Sequence, residues 1–128
     1  MTATGSGFLV PRPPFVPADA SVSAKTTTGN LAIGDYAKNI TNTGSSGTIV
    51  LTLLAASAAA GMSFRVQITV AQIVRLLPQT GEKVFLGGSG VATKYLQIAG
   101  TIGNYCDVYC DGEKYLVTSY SGVVTKEA

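Results

Sequence analysis

Histidine and tryptophan are absent from this 128-residue chain, cysteine occurs twice, and charge is scarce. Without histidine, every Ser-His-Asp or Cys-His catalytic arrangement and every His-containing zinc site is excluded. Charged residues make up 12% of the sequence, against roughly 25% in an average soluble domain. Apolar residues reach 46%, the formal net charge is +2 and the mean hydropathy is +0.32. So little charge on so apolar a chain implies that other chains cover part of its surface. The length suits one domain with a modest core.

The charges that are present form no site. Lys25, Lys38, Arg65, Arg75, Lys83, Lys94, Lys114 and Lys126 stand singly, with no basic stripe or polybasic tail, which argues against a nucleic-acid partner. Asp19, Asp35, Glu82, Asp107, Asp111, Glu113 and Glu127 are scattered over turns. They offer neither the facing pair of a glycosidase nor the clustered spacing of a calcium loop. Gly87-Gly88-Ser89-Gly90 lacks the Lys-Ser/Thr of a phosphate loop and reads as a strand connection. No cofactor, metal site or catalytic constellation is expected, and the chain reads as a non-enzyme. The longest apolar run, Ile49 to Met62, is too short for a bilayer, which needs roughly 20 residues. The N-terminal MTATGSG carries no basic residue. A product made in the cytoplasm, with no membrane span, that later joins an assembly fits best.

Cys106 and Cys110 lie four apart in an alternating segment. On a strand they share one face but stand about 13 Å apart, whereas a disulfide needs Cα atoms within roughly 7 Å. No intrachain disulfide is expected. Two small buried side chains are favoured over a metal or redox pair, or an interchain disulfide.

Four of the five prolines fall in FLVPRPPFVP, residues 8–17. Proline fixes φ and donates no hydrogen bond, so this stretch is predicted to be an extended arm. Its apolar side chains suit a partner's surface better than water, a disordered leader being the alternative. Residues 18–30, small and polar, read as a connector, which gives an arm and connector over 1–30 and a β-domain over 31–128.

The β-domain is read from its periodicity. Phe64, Val66, Ile68 and Val70 alternate with polar residues, as in a half-buried strand. Thr48 to Leu54 reads as a strand covered on both faces. Short runs follow at Ile73 to Leu77, Lys83 to Leu86 and Lys94 to Ile98. Asn104 to Cys110 and Glu113 to Ser119 flank Asp111-Gly112, a favoured two-residue hairpin turn. Residues 122–128 add an edge strand, and Leu53 to Ala60 is expected to be a loop or single turn. Tyr109, Tyr115 and Tyr120 favour packing over a sugar-binding platform. The whole predicts an all-β compact sandwich or barrel-like domain of seven or eight short antiparallel strands behind an extended N-terminal arm.

Two stretches carry a resemblance: NTGSSGTIVLTLLAASAAAGMSFRVQITVAQIVRLLP, and KYLQIAGTIGNYCDVYCDGEKYLVTSYSG. Val50 to Val70 is similar to the strand–Ala/Gly loop–strand of bacteriophage head-fibre and capsid-decoration (cement) proteins, a module also found in phage tail fibres. Gly103 to Gly122 resembles their D-G-x-x-W-x-V-x-S ending. Tyr115 stands where that pattern has tryptophan, and Leu54 where it has proline. The resemblance spans Ala32 to Val123. It implies a homotrimer on the outer surface of the virion, anchored to the phage major capsid protein by its N-terminus. On that expectation Phe8, Leu9, Val10, Pro11, Arg12, Pro13, Pro14, Phe15, Val16 and Pro17 form the capsid-binding arm, with Phe8 and Phe15 as apolar anchors and Arg12 as a polar contact. The alternative is a short tail-fibre module that recognises host surface glycans.

Overall fold

The computed structural model describes residues 22–127. Eleven strands follow one another: β1 (Val22–Ala24), β2 (Gly29–Asn30), β3 (Asn39–Thr41), β4 (Ile49–Thr52), β5 (Ser63–Gln67), β6 (Val74–Leu77), β7 (Val84–Phe85), β8 (Leu96–Ile98), β9 (Tyr105–Cys110), β10 (Tyr115–Ser121) and β11 (Val124–Lys126). They form two sheets, with orders β1-β3-β5-β9-β10-β7 and β11-β8-β6-β4-β2. Every connection but one carries the chain from one sheet to the other; only the β9–β10 hairpin stays within a sheet.

This alternation dictates strand direction. A strand that returns to its own sheet after crossing the facing sheet runs the same way as before. Hence β1, β3 and β5 are parallel, and so are β2, β4 and β6. Each strand of one sheet serves as the crossover that parallel neighbours in the other require. From β8 onward the coil reverses, and β8, β9, β10 and β11 close the sheets with antiparallel ladders. The all-β expectation holds, and of the sandwich and barrel-like forms it allowed, the described residues form two sheets. The finer expectation of seven or eight antiparallel strands does not hold: there are eleven, and five of the nine ladders are parallel. Among the described residues, every link except the β9–β10 hairpin carries the chain to the facing sheet.

Two boundaries also move. The described part of the stretch read as a connector pairs into both sheets, as β1 and β2. β4 buries Ile49 and Leu51 and leaves Val50 and Thr52 half-buried, so it is covered on one face rather than both. In β5, Phe64 and Val66 point inward while Ser63 and Arg65 are exposed, as period two requires. The core between the sheets is aliphatic, with Ile40, Leu51, Val66, Leu76, Leu96 and Val108 almost fully enclosed. Cys106 and Cys110 are free, and both are buried. Burial, with Asp107 close by, pushes the Cys106 thiol up to about 12.

One buried side chain ties two crossings together. Asn42 follows β3 and is fully enclosed. Its Nδ2 donates to the carbonyls of Val70 and Gln72, each at 3.0 Å. Its Oδ1 accepts from the N–H groups of Thr69 at 2.8 Å and Val70 at 3.1 Å. The link that leaves β3 thereby satisfies the backbone of the link that leaves β5. Asn42→Ala strands these groups, and urea unfolding should show a loss of about 3 kcal/mol.

Candidate interaction surface

Strand register defines two ends of the sandwich. Ala24, Thr41, Gln67, Tyr105 and Ser121 form one row across the first sheet. Ile49, Val74, Ile98 and Val124 form the matching row of the second. The links that join these rows are residues 25–28, 42–48, 68–73, 99–104 and 122–123. Among them stands a single charged residue, Lys25, whose ammonium lies 3.1 Å from the Asp35 carboxylate. The opposite end holds Lys38, Glu82, Lys83, Lys94, Asp111 and Lys114, among other charged residues, in its links. Charge is thus segregated along the strand axis.

The uncharged end exposes apolar side chains. Ile102 is 65% exposed and Val123 62%. They lie on adjoining links, because Ala99 N–H donates to the Val123 carbonyl at 3.0 Å. The Asn104 side chain fills the space in which a Cβ on Gly122 would sit, at φ +84°. Tyr120 is 49% exposed, yet it pairs in register with the fully buried Cys106. Directly paired residues share a face of the sheet, so Tyr120 lies on the core side of β10 where the facing sheet no longer covers it. In addition β7 pairs only with Tyr115 and Leu116. From Val117 to Ser121, β10 has a free edge among the described residues.

The other end solves a different problem. The link 53–62, LLAASAAAGM, crosses between sheets with almost no polar side chain of its own; local turn bonds satisfy part of its backbone, and other groups find partners elsewhere. Leu54 N–H donates to Tyr36 Oη at 2.9 Å, and Tyr115 Oη donates to the Leu54 carbonyl at 2.8 Å. The two hydroxyls are 2.7 Å apart. Because the Tyr115 proton is committed to the carbonyl, Tyr36 is the donor between them, and the circuit closes on one residue. Burial pushes both phenols up, so the circuit stays protonated. Gln79 Nε2 donates to the Leu53 carbonyl at 2.8 Å, and the Glu82 carboxylate accepts from Ala56 N–H at 3.0 Å.

The outer faces carry paired polar groups. On the first sheet Arg65 forks onto Asp107 at 2.7 and 3.0 Å and lies 4.2 Å from the centre of the Tyr105 ring. On the second, Arg75 bonds Gln97 at 2.9 Å and lies 4.6 Å from the Tyr95 ring centre. A shallow depression of about 330 Å³, lined by Gly81, Glu82, Lys83, Phe85, Glu113 and Lys114, lies at the charged end. Among the described residues no group of three His, Cys, Asp or Glu side chains could hold a metal ion, and no helix is long and apolar enough to cross a membrane.

The residues expected to contact a partner, Phe8 to Pro17, lie outside the described residues. Of the three hairpin tyrosines, Tyr115 is buried as expected, while Tyr109 and Tyr120 are exposed. Asp111 and Gly112 do begin the hairpin turn, shifted by one residue: the Asp111 N–H donates to the Lys114 carbonyl, so Gly112 and Glu113 are its centre. Sequence reading missed Asn42, Tyr36, Gln79 and Glu82. The one signal for Tyr36, Gln79 and Glu82 was the polar poverty of 53–62, which obliges donors and acceptors to come from other elements; Asn42, which serves 69–72, had none. Comparison of the chain with protein-family models, curated proteins and solved structures finds no match.

Two measurements check this description. Tyr115→Phe leaves the Leu54 carbonyl without its donor and the Tyr36 hydroxyl proton without its acceptor, and should cost about 2 kcal/mol in urea unfolding. The second concerns acid. Burial favours the neutral form of Asp35, but the Ala32 N–H, the Ser23 hydroxyl and Lys25 outweigh it and hold the carboxyl below its ordinary 3.8. Lys114, with the N–H groups of Glu113 and Lys114, lowers exposed Asp111 to about 2. A carboxyl depressed in the folded state stabilises it above the unfolded pKa, and this is lost as pH falls through the folded value. The urea midpoint should therefore drop between about pH 4 and pH 2, and Asp35→Asn should lower it at pH 7 while making the acid drop shallower.

Proposed function

We propose that this chain is a structural protein of a bacteriophage particle, a decoration or cement protein that binds the outer surface of the head as a trimer. The observation that carries this reading is the segregation of charge, which leaves Ile102, Tyr120 and Val123 uncovered at an end with one charged residue. Such a body is suited to contact with other chains. The resemblance of Val50 to Val70 and of Gly103 to Gly122 to head-fibre and decoration proteins supports the same reading.

In this proposal residues 8–17 lie on the major capsid protein. Three arms per trimer engage neighbouring capsid subunits together, so modest single contacts add up to high avidity. Each bound trimer favours the intact shell by its own binding free energy. A glycan-recognising tail module is the second reading, favoured by the exposed rings of Tyr109 and Tyr120. One face each of Tyr105 and Tyr95 is already taken by an arginine.

Quantitative mass spectrometry of purified virions separates the two readings: hundreds of copies per particle is the head outcome, a handful the tail outcome. A chain beginning at Ala20 retains every described strand and lacks the arm. Its affinity for undecorated heads should fall by about 100-fold or more, given the loss of multivalent attachment. Unchanged decoration would sink the arm mechanism.

A further inference from the structure

We propose that the uncharged end of the sandwich, with the free edge of β10, is the surface through which copies of this chain associate, around Ile102, Tyr120 and Val123. This deepens the trimer named above but does not need a location on a phage head.

Three observations identify a second copy as the occupant. The first is charge. Association between identical chains about a symmetry axis brings the same region of each copy together. Any net charge there meets its own sign, which costs several kcal/mol for close like charges. The links 42–48, 68–73, 99–104 and 122–123 contain no charged residue, and Lys25 in 25–28 is neutralised by Asp35. An oppositely charged partner, a nucleic acid or an anionic membrane finds nothing to grip at this end. The second is Tyr120. Its register with buried Cys106 sets it on the core side of the first sheet, and yet half of it is exposed. A core-side aromatic without a facing layer is completed by an apolar surface, and Ile102 and Val123 present one on the same end. The third is the strand edge. Among the described residues β10 runs to Ser121 but is flanked by β7 only at Tyr115 and Leu116, whereas the edge strands β1, β2, β7 and β11 are only two or three residues long. Short edges protect a sheet from pairing with another chain, and the longer unpaired stretch of β10 is open to it.

The test uses the full chain in sedimentation equilibrium. Wild type should be oligomeric at micromolar concentration. Ile102→Asp and Ile102→Lys each place like charges together about the axis, and each should weaken association by about tenfold or more. An equimolar mixture of the two should recover a large part of the lost affinity, which a folding defect could not do. Val123→Ser removes apolar area without adding charge and should weaken association by about three- to tenfold. Ile33→Asp, exposed at the opposite end, should change nothing. A monomeric wild type, or association that survives the Ile102 and Val123 variants but yields to Ile33→Asp, overturns the proposal. A monomeric wild type would also remove the trimer from the proposed function, whereas the choice of head over tail is decided separately by copy number. A trimer behaving as expected in a protein found at a few copies per particle would sink the head assignment alone.

Discussion

Every crossing between the sheets must find hydrogen-bond partners for backbone that has left its ladder, and the architecture depends on how this is done. A hairpin satisfies its own turn with a few local bonds. A chain that crosses the core at nearly every connection presents buried N–H and C=O groups that no neighbouring strand can reach, and each one left unpaired costs about 1–3 kcal/mol. The protein answers with side chains borrowed across elements. At one end Asn42 spends both halves of its amide on the link after β5. At the other, Tyr36 and Tyr115 close a circuit through Leu54, while Gln79 and Glu82 take the groups on either side.

This division explains what the sequence disclosed and what it concealed. Alternation in Phe64 to Ile68 and in Cys106 to Cys110 reports which face is buried, and that local information is enough for an all-β reading. It says nothing about which sheet receives the next strand. The same glycine-rich link can reverse a chain within a sheet or throw it to the facing one, and parallel pairing follows from the second choice alone. The side chains that decide it, Asn42 and Gln79, have no periodicity and no local motif. Tyr115 was legible as a packing aromatic, but its hydroxyl matters as much as its ring, and that role exists only because Tyr36 arrives from another part of the chain. The uncharged end was half legible. Scarcity of charge is visible in composition, whereas the concentration of charge at one end becomes visible only once register assigns each link to an end.

Leu54 and Tyr115 show how closely this scheme constrains single positions. In the fold they are hydrogen-bonded to each other. A proline at 54 would have no N–H to offer Tyr36, and a tryptophan at 115 would have no hydroxyl with which to reach the Leu54 carbonyl. The circuit therefore depends jointly on a backbone N–H at position 54 and a hydroxyl at position 115.

The same economy reaches the surface. The acids at Asp35, Asp107, Asp111 and Glu127 are held in ion pairs, and Glu82 holds a backbone N–H. Much of the charge in this chain is paired within it, Arg65 with Asp107 across the outer face of the first sheet and the rest mostly in links at one end of the sandwich. What remains at the other is a rim of threonine, serine and glycine around Ile102, Tyr120 and Val123. An end built this way cannot attract a charged partner over distance, because it has no field to do so. Its affinity must come from short-range burial, which rewards a partner of complementary shape held nearby at high local concentration. Identical copies meet that condition when they are joined through the same surface. The scarcity of charge in the whole chain is thus most pronounced at one end of the fold, where the links hold a single charged residue.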